Sequence, residues 1–177
     1  MINTRVLKTY LAKSHERCKE NSISIEQVYS NKILDEGQLQ KRFAKNRNLI
    51  LTALPYMDQL MDFVKGSSFF ALLTDGEGCI LDAIGDEEIL SEAFAIKMIP
   101  GAFMDELNIG TNAMSIALSY KEPIQMSGND HFIKAYQKWT CSAAPILDSK
   151  GKLTGVLNLS GYTRNVQPHT LGMVVAA

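Results

Sequence analysis

Apolar positions recur along this chain with two different spacings, and the change from one to the other divides it. From about Thr4 to Cys18, Val6, Leu7, Tyr10 and Leu11 share one side of a helical projection while Arg5, Lys8, Lys13 and Glu16 fall elsewhere, so an amphipathic helix that needs a partner surface is predicted. Asn21 to Asn31 is polar and irregular. Asp35 then opens a long helical pattern that carries Leu39, Phe43, Leu49, Ile50, Ala53, Leu54, Met57, Leu60, Met61 and Val64 at three- and four-residue steps. Pro55 is expected to kink or interrupt it, having no N–H to donate, and Gly66 to end it.

Beyond Gly66 the period shortens to two. Phe69 to Thr74 and Cys79 to Ile84 read as strands joined by Asp75-Gly76-Glu77-Gly78, a hairpin whose glycines supply positive φ. Asp86 is expected to cap a helix running to about Met98, which Pro100-Gly101 breaks. Phe103 to Leu107 reads as a short strand or loop. Ala113 to Tyr120 reads as a helix with Thr111 or Asn112 near its N-cap, Pro123 to Met126 as another short strand, and Asp130-His131-Phe132 as the start of a short helix or turn. Trp139 to Ser160 is the most informative stretch: two paired strands around a polar turn at Asp148 to Gly151. On the second strand Asn158 and Ser160 share a face with Val156, whereas Leu153, Leu157 and Leu159 take the other. One face is apolar and the other reads as the floor of a pocket. From His169 onward the pattern is helical again and stops in mid-pattern at Ala177, which predicts a domain cut from a longer protein.

With 177 residues, 46% apolar and 21% charged, the chain suits one globular domain with helical extensions. A net charge of −1 gives no electrostatic reason to expect direct nucleic-acid binding. No apolar run approaches the roughly 20 residues of a membrane helix, and the N-terminus lacks a secretory pattern, so a cytoplasmic location is expected and no membrane contact. Cys18, Cys79 and Cys141 are dispersed, as are His15, His131 and His169, which suggests neither a disulfide framework nor a metal site. Phosphate-loop, zinc-protease, nucleophile-elbow and dinucleotide fingerprints are absent, so binding is favoured over catalysis, with no cofactor and no catalytic residue assigned.

Candidate ligand contacts follow from residue type and place. Gly110-Thr111-Asn112-Ala113 puts free N–H groups at a helix N-terminus, fit for a ligand oxygen or simply for an ordinary cap. His131 can donate or accept near neutral pH, in a ligand contact or a structural hydrogen bond. Trp139, Cys141 and Ala143 alternate onto one strand face, as a cavity wall or as core. Cys141 has no adjacent base or cation to make it a nucleophile.

Taken together, Leu73-Thr74-Asp75, Gly110-Thr111-Asn112-Ala113, Asp130-His131-Phe132, Trp139 to Ile146 and Gly155 to Gly161 resemble the N-terminal GAF sensor region of sigma-54-dependent transcriptional activators, nearest to regulators of acetoin and of glycerol or dihydroxyacetone catabolism. The likeness runs from Ser14-His15-Glu16-Arg17-Cys18 to His169. Family members often carry Trp and an acid before Gly-Thr-Asn, where this chain has Phe103-Met104-Asp105-Glu106, and Glu-His-Phe where it has Asp130-His131-Phe132.

The resemblance implies an α+β, PAS-related fold: a central antiparallel sheet with flanking helices and a helical N-terminal extension, the helices on one side of the sheet and a small-molecule pocket on the other, and dimerisation through the terminal helices. It also implies a complete protein that continues into an ATPase acting on sigma-54 RNA polymerase and a helix-turn-helix domain. The expected divisions are a helical region at 1–64, a sensor core at 65–166 and the start of a signalling helix at 167–177. The expected ligand set is Thr111, Asn112, Met126, His131, Trp139, Cys141, Asn158 and Ser160, around a small hydroxyketone or diol. Two rival readings are a cysteine-dependent methionine sulfoxide reductase and a ligand-free dimerisation module.

Overall fold

A computed structural model describes residues 4–167 and 169–177. Five antiparallel strands form one sheet in the order β2-β1-β5-β4-β3, from β1 (Phe69–Asp75), β2 (Ile80–Gly85), β3 (Ile124–Ser127), β4 (Trp139–Leu147) and β5 (Leu153–Tyr162). Both predicted hairpins are present, and β5 lies between β1 and β4, with Leu72 and Ala143 both opposite Asn158.

Alternation along the strands gives the sheet two apolar faces, each covered differently. Helix α3 (Arg47–Val64) lays Ala53, Met57, Leu60 and Val64 against Phe69, Ala71, Leu73, Leu157 and Leu159, and α7 (Thr170–Ala176) adds Val174. The opposite face presents Phe70, Leu72, Trp139, Cys141, Ala143 and Val156. It is covered by α4 (Glu87–Ala95), α5 (Glu106–Ile109) and α6 (Ala113–Tyr120), by the turns at 128–136, and at the edge by α1 (Thr4–Glu20). The α+β architecture matches the sequence reading.

Four local expectations need correction. The long helical pattern is broken at Asn46 and not at Pro55, giving α2 (Glu36–Lys45), capped by Asp35, followed by α3. Asn46 turns the chain because its side-chain amide bonds the Arg42 carbonyl (3.0 Å) in competition with the helix. Pro55 is tolerated because it sits on the solvent side of α3, where water serves the carbonyl left unbonded. Asp86 precedes α4, but its carboxylate accepts from Gly66 N–H (3.1 Å) and Ser68 N–H (2.8 Å) and so pins the end of α3 to the sheet. Helix α4 also ends at Ala95, short of Met98. Finally, Phe103 only bridges Cys79, and the residues after it form the single turn α5, capped by Asp105.

Close approach requires glycine at position 155, where a Cβ would lie 2.3 Å from the Thr74 carbonyl oxygen and 2.9 Å from Leu49 Cδ2. Gly155→Ala is expected to lower unfolding free energy by about 1–3 kcal/mol, measured by urea denaturation, because backbone and not a flexible side chain must yield.

Candidate functional site

On the face away from α3, polar atoms are buried without protein partners. They are His131 Nε2, Trp139 Nε1 and Asn158 Oδ1, with Thr74 Oγ1 further along the same face. Buried polar groups are paired in the great majority of cases, so several together in one region mark a place arranged for something other than stability. The remaining unpaired atom, Arg42 Nε, lies elsewhere, 2.9 Å from Asp75 Oδ2 in an ion pair with poor N–H alignment.

Strand pairing sets the floor. Cys141 is opposite both Met126 and Ser160, so β3, β4 and β5 bring these residues onto one row beside Asn158 and Trp139. Asn158 Nδ2 donates to Ser160 Oγ (2.8 Å), which donates to Cys141 Sγ (3.1 Å), and this chain turns Asn158 Oδ1 outward as an acceptor. The walls are aromatic. Tyr136 lies between His131 (centroids 6.3 Å apart) and Trp139 (5.8 Å), while Phe70 meets Trp139 edge-on at 5.4 Å.

The polarity of two atoms is unambiguous. Trp139 Nε1–H can only donate. His131 Nδ1 lies 3.1 Å from the Gly128 carbonyl, which can only accept, so Nδ1 carries the proton and Nε2 is a bare acceptor. Burial holds this imidazole neutral, pushing its pKa from 6.5 down to about 4 against smaller opposing effects of the Gly128 carbonyl and Asp130. Burial also raises the Cys141 thiol to about 12 and raises the Tyr136 phenol. The region is therefore uncharged at neutral pH, with fixed donors and acceptors.

It is also closed. None of the unpaired atoms presents surface to water, and Trp139 and Asn158 are 0% exposed. An atom bordering a water-sized void would have accessible surface, so any ligand must first part the residues covering the site.

Met126, His131, Trp139, Cys141, Asn158 and Ser160 are brought together as neighbours on this face. Thr111 and Asn112 have their polar atoms committed elsewhere. Asn112 caps α6: Oδ1 accepts from Ser115 N–H (3.1 Å), and Nδ2 donates to the Met104 and Gly110 carbonyls (both 2.9 Å). Thr111 Oγ1 meets Ser14 Oγ (2.7 Å) and Cys18 Sγ (3.4 Å) of α1. Sequence reasoning missed Tyr136, although its position three residues before Trp139 was a usable signal, and Thr74 and Phe70, which only the β1–β5 pairing brings to the site. Burial is the largest influence on all three thiols and raises each, so none is a ready nucleophile. Among the described residues no cluster of His, Cys, Asp or Glu suits a metal ion. Nor is any described helix long and apolar enough to cross a membrane.

The family model described as GAF domain matches residues 51–177. The chain belongs to the GAF domain family. Bacterial regulators are among its relatives: it is 38% identical over its whole length to the signal-transduction and transcriptional-control protein of Clostridium beijerinckii. It is 34% identical over 96% of its length to the acetoin dehydrogenase operon transcriptional activator AcoR of Bacillus subtilis. The chain spans 28% of each of these two proteins. In fold, this GAF chain superposes on a chain in the crystal structure of the Escherichia coli DhaR(N)-DhaL complex with a TM-score of 0.89, covering 94% of this chain and 57% of that one at 22% identity. The resemblance to the GAF region of acetoin and dihydroxyacetone operon regulators is borne out.

The neutral His131 of this GAF fold predicts a pH signature. Between pH 6.5 and about 4 the unfolded chain binds a proton at this residue that the folded chain does not, so stability rises with pH across that window. The His131 contribution is expected to be complete above pH 6.5 and to shrink by about 3 kcal/mol on acidification to pH 4. Urea denaturation of wild type against His131→Gln checks it, the difference between the two curves carrying the slope.

Proposed function

We propose that this chain is the ligand-sensing region of a bacterial transcriptional regulator, and that its ligand is a small uncharged metabolite with a hydroxyl group and a second oxygen. The observation that carries this reading is the set of buried unpaired atoms: a bare acceptor on His131, a donor on Trp139 and an acceptor on Asn158. A diol can satisfy all three, its two hydroxyls donating to His131 and Asn158 and one of its oxygens accepting from Trp139, whereas an α-hydroxyketone satisfies Trp139 and one of the two acceptors. A diketone has no proton to donate. A carboxylate would be desolvated with no cation to meet it.

In this reading the chain is not an enzyme, which the buried, protonated thiols favour over the reductase alternative. It works as a homodimer through its terminal helices, a role suited to the exposed Tyr56 and Phe63 of α3 and the groove of about 320 Å³ they form with Met173 of α7. The sequence-based division into a helical region at 1–64, a core at 65–166 and a signalling helix from 167 is retained. A sigma-54-directed ATPase and a helix-turn-helix domain complete the protein, as the greater length of its relatives allows.

Calorimetric titration with acetoin, 2,3-butanediol, diacetyl and acetate tests the ligand class. Binding is expected for the first two and not for the last two, and acetate binding in preference to acetoin overturns the assignment. Asn158→Leu is expected to abolish binding while changing stability by less than about 1 kcal/mol, because it removes an unpaired buried acceptor together with the Nδ2 bond to Ser160.

A further inference from the structure

Helix α1 grips the segments that cover the site. Arg17 holds Glu106 of α5 with two hydrogen bonds, Nε to Oε1 at 2.7 Å and Nη2 to Oε2 at 2.8 Å. Ser14, fully buried, bonds both Glu106 and Thr111. Tyr10 stacks on Tyr120 of α6 with centroids 3.6 Å apart. His15 Nε2 donates to the Asp130 carbonyl (3.0 Å), and its ring meets Phe132 edge-on at 5.5 Å.

These contacts converge on His131 from both sides in sequence. Asp130 is held by His15, and Phe132 is held by His15 and by its own N–H on the Thr111 carbonyl (3.0 Å). Thr111 is in turn held by Ser14 and Cys18. The turn carrying His131 therefore cannot move outward without straining the α1 contacts.

The same arrangement sets two sides of a balance. With α1 docked, Ser14, Thr111, Arg17 and Glu106 are paired while the His131 Nε2, Trp139 Nε1 and Asn158 Oδ1 atoms are not. A ligand between His131 and Asn158 pairs the second set but needs room that the closed site lacks, so it must displace the cover that α1 clasps. A ligand shifts such an equilibrium by its differential affinity for the two arrangements.

We propose that α1 is a releasable clasp: docked, it keeps the site closed, and occupancy of the site by the ligand class assigned above undocks it, so that α1 passes the signal onward. The inference rests on the placement of the site, and its first test needs no ligand. The chain supplies its own reporters, since Cys18 lies on the docked face of α1 against Thr111, Cys141 lies in the site and Cys79 lies at the β1–β2 hairpin, all three buried.

The experiment is time-resolved alkylation with iodoacetamide, with labelled peptides identified by mass spectrometry. In the ligand-free chain Arg17→Ala is expected to raise labelling of Cys18 and Cys141 together by about tenfold with Cys79 unchanged, and Arg17→Lys to fall between this variant and wild type. Faster labelling of Cys18 with Cys141 unchanged, of all three cysteines together, or of none overturns the clasp.

Acetoin is then added to the wild-type chain. Binding detected by calorimetry is expected to speed Cys18 labelling and, by reciprocity, Arg17→Ala to bind acetoin more tightly, by about tenfold. Binding that leaves Cys18 protected overturns the clasp and spares the sensor reading. Failure of acetoin to bind either chain counts against the ligand class, and the ligand-free comparison still decides the clasp.

Discussion

Strand β5 is hydrogen-bonded along both edges, to β1 from Phe69 through Asp75 and to β4 from Trp139 through Leu147, so its register is fixed twice over. Everything distinctive about this domain depends on that constraint. A shift of one residue would turn Asn158 and Ser160 into the interface with α3 and expose Leu157 and Leu159 to the site, reversing both faces at once. Because Gly155 lets β5 approach the Thr74 carbonyl closely, the fixed register also requires a missing side chain at the start of the strand.

On that frame the two faces follow different rules. The α3 face is a simple apolar layer in which Met57, Leu60 and Leu159 are shielded from water and need no polar partners. The opposite face mixes large apolar side chains with Asn158, Ser160, His131 and Thr74. Its internal hydrogen bonds are directional: they leave His131 Nε2 and Asn158 Oδ1 as acceptors and Trp139 Nε1 as a donor. That costs stability where it occurs, since an unpaired buried polar group loses about 1–3 kcal/mol of hydration without return. The aromatic shell of Phe70, Tyr136 and Trp139 offsets part of the loss by packing.

Much of this was legible in the sequence, because strands and caps are written locally. The alternation around Asn158 and Ser160, the two hairpins and the helix beginning at Ala113 were all apparent from residue type and spacing. The errors arose where a distant partner decides. Asp86 has the composition of an N-cap, yet its carboxylate is claimed by Gly66 and Ser68. Pro55 carries a local penalty that exposure on one side of α3 removes, while Asn46 breaks the helix through a side-chain bond that periodicity does not report. Of the candidate site, the β4 and β5 residues could be named from alternation. Tyr136, Phe70 and Thr74 join them only through tertiary placement, and the Gly110-Thr111-Asn112 run turned out to use its polar groups as cap and helix contact.

The insertion of β5 between two neighbours has a consequence for how such domains diversify. Its odd-numbered residues from Leu157 answer to α3, and its even-numbered residues answer to the opposite face, with a hydrogen-bonded backbone between them that neither set of side chains can easily disturb. Substitutions at Asn158 or Ser160 can therefore accumulate while the α3 packing stays under its own, separate selection. The strand acts as an insulating partition, so that changes confined to one side of it leave the packing on the other undisturbed.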